Sequence, residues 1–389
     1  MAILYKVQTG AYKHAAGAAL AAASVRKAVD KYVKKAGIKD KISVAVIQSG
    51  GWYKVQEGAF TSKANAEQRK NLLRKAGVYA VVIETKTQDN VPENPLKPDY
   101  PKAAYIPKIR VWPIWFFEKN ESLYGDCTAI LEYAEDGKTV LHCILIDCAM
   151  GSAAPTIISK LKKAGVRKID AIVISHAHGD HYGGLSAICN AFPVGALYLP
   201  DCTELDRYQR SYGNALRKQA KKVKPARFLK AGSAFQIGHI TCNCLFICPA
   251  KSLAEHDSHH FVNNQSMALM FTMDGKTRFF TAGDLSNDGN KVLVRQIKNL
   301  RAHIFKFQWH GDRNAITHAL MQAIRPLICF SNYPHKERSG RGSTRMVAEA
   351  VGAFVARNWE NGDIYIDCQG DTIRVTCSKG NIYKTFKVE

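Results

Sequence analysis

Two kinds of hydrophobic pattern divide the chain. Over the first 86 residues, strand-like runs alternate with stretches of helical period; beyond about residue 109, short apolar blocks end in polar turns rich in His and Asp. In the first region the spacing predicts helices over 15–35, ending near Gly37, and over 63–75, ending near Gly77. Strands are expected over 43–48 and 79–84. The run Tyr5-Lys6-Val7-Gln8-Thr9-Gly10-Ala11-Tyr12 recurs as Tyr53-Lys54-Val55-Gln56-Glu57-Gly58-Ala59-Phe60. Such self-similarity marks a duplicated unit. The expected order is therefore βαββαβ, with two helices on one face of a four-stranded antiparallel sheet.

In the second region the apolar run over 171–174 leads directly into Ser175-His176-Ala177-His178-Gly179-Asp180-His181-Tyr182-Gly183-Gly184. A strand that delivers a tight polar loop at its end can turn His176, His178, Asp180 and His181 toward one point. That mixture of imidazoles and carboxylate suits zinc, manganese or iron. Gly179, Gly183 and Gly184 are expected to relieve crowding in the loop. Two histidines alone would read as a surface loop, but four ligand-type residues at this spacing after a strand favour a metal site.

Length accommodates a small domain and a larger one of about 280 residues. Between them, residues 87–108 carry Pro92, Pro95, Pro98, Pro101 and Pro107, five of the 13 prolines, which predicts a semi-rigid linker. The expected domains are thus 1–86 and 109–389. Net charge is +22, and the first 86 residues hold 16 Lys and Arg against 5 acidic residues. This balance favours anionic partners, whether nucleic acid or a phosphate-rich wall polymer. Eleven cysteines without a CxxC pair predict free buried thiols and a reducing folding compartment. The first residues lack the order of a secretory signal, and no apolar run reaches the length of a membrane span.

The His-rich loop resembles that of the metallo-β-lactamase superfamily, and three further segments extend the resemblance over about 109–389. Leu141 to Asp147 (LHCILID) is similar to its early strand ending in an acidic residue. Arg278 to Asp284 (RFFTAGD) is similar to its later strand ending in Gly-Asp. Lys306 to Gly311 (KFQWHG) is similar to the segment carrying the last histidine. Asn263-Asn264-Gln265-Ser266, Lys306 to Gly311 and Gly125-Asp126 resemble the branch that includes the hydrolase domain of the competence protein ComEC.

The resemblance implies a four-layer αββα sandwich and hydrolysis assisted by two divalent metal ions, zinc first, with manganese or iron as alternatives. It assigns His176 and His178 to one ion, Asp180, His181 and His310 to the other, and Asp284 to both. Two ions so placed lower the pKa of a water between them and stabilise developing negative charge. Asp180 would also orient that nucleophile, and Lys306 would neutralise a substrate phosphate as a point charge. A solvated lysine at a strand edge is the other reading of Lys306. Trp309 replaces a histidine of the ComEC-like pattern, and His256, His259 and His260 are the candidates for a further ligand, or else members of a solvated loop.

The first 86 residues resemble the SPOR domain, a module that binds peptidoglycan glycan strands. That resemblance puts Gln8, Tyr12, Gln56 and Phe60 on a glycan-binding face, where amide and aromatic groups suit sugars. The expected function is a phosphodiesterase acting on an anionic polymer, either teichoic acid or nucleic acid, and targeted to peptidoglycan. The alternatives are a catalytically inactive glycan-binding protein and a β-lactam or ester hydrolase. The expected location is bacterial, in the envelope or outside the cell by a route without a signal peptide, or else the cytoplasm.

Overall fold

The computed structural model describes residues 3–12, 15–36, 44–49, 52–60, 63–86, 105–118, 120, 122–221, 226–253, 259–332 and 341–388. Most of the expected linker over 87–108 lies outside them. Two compact units are present, residues 1–90 and 91–389.

The first unit is an antiparallel sheet of β1 (Ile3–Tyr12), β2 (Val44–Ser49), β3 (Trp52–Phe60) and β4 (Val81–Lys86), in the order β2-β3-β1-β4. Two helices, α1 (Ala15–Ala36) and α2 (Lys63–Lys75), pack on it through Val29, Ala66 and Leu73, against Val7 and Val55 of the repeated strands. The order βαββαβ is as expected. The end of α2 shows why its last strand begins two residues later than its sequence pattern: Gly77 N–H donates to Arg74 O and Val78 N–H to Leu73 O. This Schellman closure, with Gly77 at φ +78°, consumes residues 76–78 before the chain can extend, and leaves Tyr79 exposed.

Gln8 and Gln56 face each other in the β1–β3 register, with Gln56 Nε2 donating to Gln8 Oε1 at 3.4 Å. They alternate with Val7 and Val55, which pack toward the helices, so the two glutamines lie on the opposite sheet face. Tyr12 and Phe60 pair with Tyr53 and Tyr5 along the same ladder. Their side chains lie outside the described residues.

The second unit is a sandwich of two mixed sheets. The nine-stranded sheet has β5 (Lys108–Pro113), β6 (Thr128–Tyr133), β7 (Val140–Ile146), β8 (Ile169–Val173), β9 (Val194–Pro200) and β10 (Ala226–Leu229). The seven-stranded sheet runs in chain order through β11 (Ala234–Ile237), β12 (Ile240–Phe246), β13 (Ala268–Met273), β14 (Thr277–Thr281), β15 (Ile304–Lys306), β16 (Ile328–Ser331) and β17 (Phe354–Arg357). The chain then returns as β18 (Ile364–Gln369), β19 (Thr372–Cys377) and β20 (Tyr383–Lys387), which extend the first sheet beyond β5.

Alternation along the strands builds two cores. Ile144, Val173, Leu269, Phe271, Phe279 and Phe330 fill the space between the sheets. Leu145, Ile172, Met270, Phe280 and Phe305 point outward, beneath helices such as Ala154–Lys163 and Asn287–Gln296. Helices on both outer faces make the architecture an αββα sandwich, as expected. All eleven cysteines are free thiols and nine are buried, so they serve as small apolar fillers. No helix among the described residues is long and apolar enough to cross a membrane.

Candidate metal centre

The candidate ligands gather where several strands end together. β8 is buried along most of its length, and Ile174 N–H continues its ladder to Tyr198 O before the chain turns into the His-rich loop. A single helical turn, Gly179–Tyr182, then carries Asp180 and His181. Backbone crowding explains two of the three glycines: a Cβ on Gly183 would stand 2.5 Å from Gly179 O, and one on Gly184 2.3 Å from Cys148 O. Gly179 has open space at that position, so the expected relief of crowding does not apply to it.

Asp284 is delivered by β14. Its N–H donates to Ser266 Oγ at 3.1 Å. Asn264 Oδ1 accepts from Ser286 N–H, Ser286 Oγ and Gly289 N–H, which pins the turn after Asp284. The Asn-Asn-Gln-Ser segment thus positions the carboxylate through the backbone. Trp309 and His310 follow β15 with φ of 46° and 52°, a left-handed backbone uncommon for such side chains, and Trp309 N–H reaches Gly283 O to tie the two loops together. Asp147 and Ala149 beside the site share this conformation. Strain of this kind concentrates at functional sites.

Asp126, His181, Asp284 and His310, all buried, have ligand atoms within 4.8 Å of one another. His181 Nε2 and His310 Nε2 each lie 3.3 Å from Asp284 Oδ2, and His310 Nε2 lies 3.2 Å from Asp180 Oδ2. His176 Nε2 and His178 Nδ1 are 3.0 Å apart. Two donors on one tetrahedral zinc stand about 3.3 Å apart, given zinc-to-nitrogen distances near 2 Å. The observed separations match that spacing. Among the described residues, Asp284 Oδ1 and His181 Nε2 are buried without a hydrogen-bond partner, a costly state unless a cation satisfies them. The residues therefore fit a divalent metal.

Asp147, at the end of β7, supports the ligands from behind. Its carboxylate accepts from Ser175 N–H at 2.7 Å, Ser175 Oγ at 2.8 Å and His181 Nδ1 at 2.9 Å. A carboxylate only accepts, so His181 Nδ1 carries a proton toward Asp147, while Nε2 is directed at Asp284. Ser175 Oγ also lies 3.0 Å from His176 Nδ1, extending the same network to a second imidazole.

Burial disfavours charge on every member, but the acids and imidazoles outweigh it for one another. Burial lowers His181, yet Asp284, Asp180 and Asp147 hold it well above the ordinary imidazole range, and Asp284 and Asp126 do the same for His310. Asp284 is driven well below the usual carboxylate range by His181 and His310 despite its burial. His176 is the exception, since burial and the neighbouring His181 push it well below 6.5.

Two residues are placed differently from expectation. Lys306 is only 1% exposed and ion-paired with Asp126, with Asp126 and Asp284 raising its pKa against burial. It is not a solvated lysine at a strand edge, because β15 is flanked by β14 and β16. Asp126 is the residue sequence reasoning passed over as a ligand: its Oδ1 lies 3.3 Å from His310 Nδ1 and its N–H donates to Asp180 O. The only sequence signal was Gly125-Asp126 before a strand. His260 is exposed, and its ring meets the Trp309 ring edge-on at 5.0 Å. His256 and the side chain of His259 lie outside the described residues.

Residues 139–240 match the family model of the Metallo-beta-lactamase superfamily and residues 2–84 that of the SPOR domain, so the chain carries a domain of each. The chain is also similar to competence proteins. It is 22% identical over 170 residues to ComE operon protein 3 of Bacillus subtilis, covering 44% of this chain and 20% of that protein. It is 26% identical to Competence protein ComA of Neisseria gonorrhoeae, covering 49% of this chain and 24% of that protein. The chain spans under a third of the length of these relatives. The peptidoglycan binding domain of the B. subtilis cell wall lytic enzyme CwlC is 34% identical, covering 22% of this chain and 92% of that one, with a TM-score of 0.17.

Proposed function

We propose that the second unit is a metal-dependent phosphodiesterase acting on an anionic polymer, a teichoic acid or a nucleic acid, and that the first unit holds it on peptidoglycan. The observation that carries this reading is the approach of His181 and His310 to the same oxygen of Asp284, 3.3 Å on each side, within a buried cluster of ligand atoms.

In this reading His176 and His178 would hold one divalent cation, and His181, His310 and Asp180 a second. Asp284 would serve both, and Asp126 would join the second set. Zinc suits this mixture of imidazole and carboxylate, with manganese and iron as alternatives. When bound, such ions supply Lewis acidity and lower the pKa of water toward neutrality. The chain's own residues do the rest. Asp147 and Ser175 fix the imidazole orientations, and Asp180, about a fifth exposed and the most open of the carboxylates, would orient an attacking water. The chain's net charge of +22 favours an anionic substrate. For the first unit, the paired Gln8 and Gln56 on the sheet face away from the helices, with Tyr12 and Phe60 on the same strands, form the proposed glycan surface.

The test is hydrolysis of bis(p-nitrophenyl) phosphate by chelator-stripped protein reloaded with zinc or manganese, with Asp180→Ala and Asp284→Asn as controls. Metal-dependent turnover lost in both variants supports the reading. No turnover with either metal overturns it, and leaves a β-lactam or ester substrate or an inactive glycan-binding protein. Co-sedimentation with peptidoglycan stripped of stem peptides tests the first unit separately.

A further inference from the structure

The outer face of the seven-stranded sheet is not covered evenly. Helix Asn287–Gln296 lies over part of it, whereas beside β12 and β13 the outward side chains Leu245, Met270 and Thr272 line an open cavity of about 420 Å³, walled on one side by Ile297 and Asn299. This volume lies within the range of small-molecule pockets. The lining is predominantly apolar, and one charged side chain enters it: Arg278 of β14.

Arg278 is half-buried. Its Nη1 and Nη2 donate to Oδ1 and the backbone oxygen of Asn299 at 3.2 and 3.3 Å. These partners are neutral, and among the described residues no carboxylate pairs with it. A guanidinium has five N–H donors, so about three remain for a ligand, in a fork that matches a carboxylate or phosphate. Half-burying a permanent charge beside apolar surface without a counter-ion is costly, and a bound anion removes that cost. Arg278 also lies at the opposite end of β14 from Asp284, so the cavity is separate from the metal centre.

We infer that this cavity binds a small organic anion, a carboxylate or phosphate monoester with an apolar body: the head group on Arg278 and Asn299, the body against Leu245, Met270 and Ile297. The inference does not rest on the phosphodiesterase reading.

Calorimetric titration of the full chain with octanoate, octyl phosphate and uncharged octanol tests it. One or both anions are expected to bind one per chain, at least 10-fold more tightly than octanol, and the stronger of them identifies the head group. Arg278→Gln should bring the anions down to the octanol level, and Thr272→Trp, which fills the cavity, should abolish binding of all three; circular dichroism checks that each variant is folded. Absence of saturable binding by either anion at millimolar concentration, or an unchanged affinity in folded Arg278→Gln, overturns the inference.

Discussion

Lys306 and Asp126 form a buried ion pair at the candidate metal centre, with the second oxygen of Asp126 3.3 Å from His310 Nδ1. Both side chains are at most 2% exposed, so neither charge is solvated without the other. The lysine therefore sets the charge of the site's inner wall: it offsets one of the three carboxylates that surround His310.

Replacing Lys306 with Met should be destabilising, because it removes the nearest cation from buried Asp126 and leaves only His310 and His181 to offset its charge; the expected loss is about 3 kcal/mol. The double variant Lys306→Met/Asp126→Leu should recover part of that stability while losing metal affinity. Urea unfolding and metal titration of the three proteins check this. Equal stability of Lys306→Met and wild type would refute the pairing as a structural element.

Asp147 touches His181 at Nδ1 rather than at the nitrogen aimed into the site. Asp147→Asn should therefore leave the fold intact but weaken metal binding about 10- to 100-fold, the usual consequence of removing a carboxylate behind a ligating imidazole. Competition against a fluorescent zinc chelator measures it. A variant with wild-type affinity would show that Ser175 alone suffices to orient the ring.

Much of this was legible in sequence, and the exceptions share a cause. The repeated strands, the His-rich loop and the Gly-Asp after β14 are local patterns in which adjacent residues do one job. Asp126 is legible only through its approach to Asp180 and His310, 54 and 184 residues away, and its flanking sequence has no ligand spacing. Lys306 reads as a phosphate-neutralising or a solvated lysine, and its burial shows only when β15 is seen to run between two parallel neighbours. The Asn-Asn-Gln-Ser segment was legible as a signature but not as a mechanism, since Asn264 acts through three bonds to a turn more than 20 residues on.

Asp170 gives a pH dependence independent of metal. Its carboxylate accepts from Cys143 N–H at 3.0 Å and pairs with Lys168 at 2.9 Å and His142 at 3.4 Å, and, although burial opposes it, these partners bring its pKa down to about 2. A depressed folded pKa contributes stability above the unfolded value near 3.9 that is lost as pH falls through 2. Asp170→Asn should therefore cost about 2 kcal/mol at pH 6, and the gap to wild type should shrink to about half by pH 3. His142 moves the other way: hydrogen bonding to Asp170 raises it, so its share is present below 6.5 and fades as pH rises through its folded value. Urea melts at pH 3, 6 and 9 resolve the two effects, and a gap constant from pH 6 to pH 3 would count against the Asp170 assignment.

Two glycines near the same loop should respond oppositely to alanine. Gly125 has φ +111°, and a Cβ there would stand 2.0 Å from Asp180 O and 3.1 Å from Ala149 Cα, both backbone atoms that cannot rotate away. Gly125→Ala must therefore shift either Asp126, its neighbour in sequence, or the helical turn carrying Asp180 and His181. It should cost about 2 kcal/mol or more and weaken zinc binding together with any turnover. Gly179 opens that same turn with nothing within 4 Å of its Cβ position. There alanine reduces the freedom of the unfolded chain at no steric cost, and Gly179→Ala should be neutral or stabilising by about 0.5 kcal/mol, with metal affinity retained. Thermal unfolding and zinc titration of both variants decide the matter: similar losses in the two would mean that the loop tolerates no substitution, whereas a loss confined to Gly125→Ala ties the site to the close approach of residues 125 and 180.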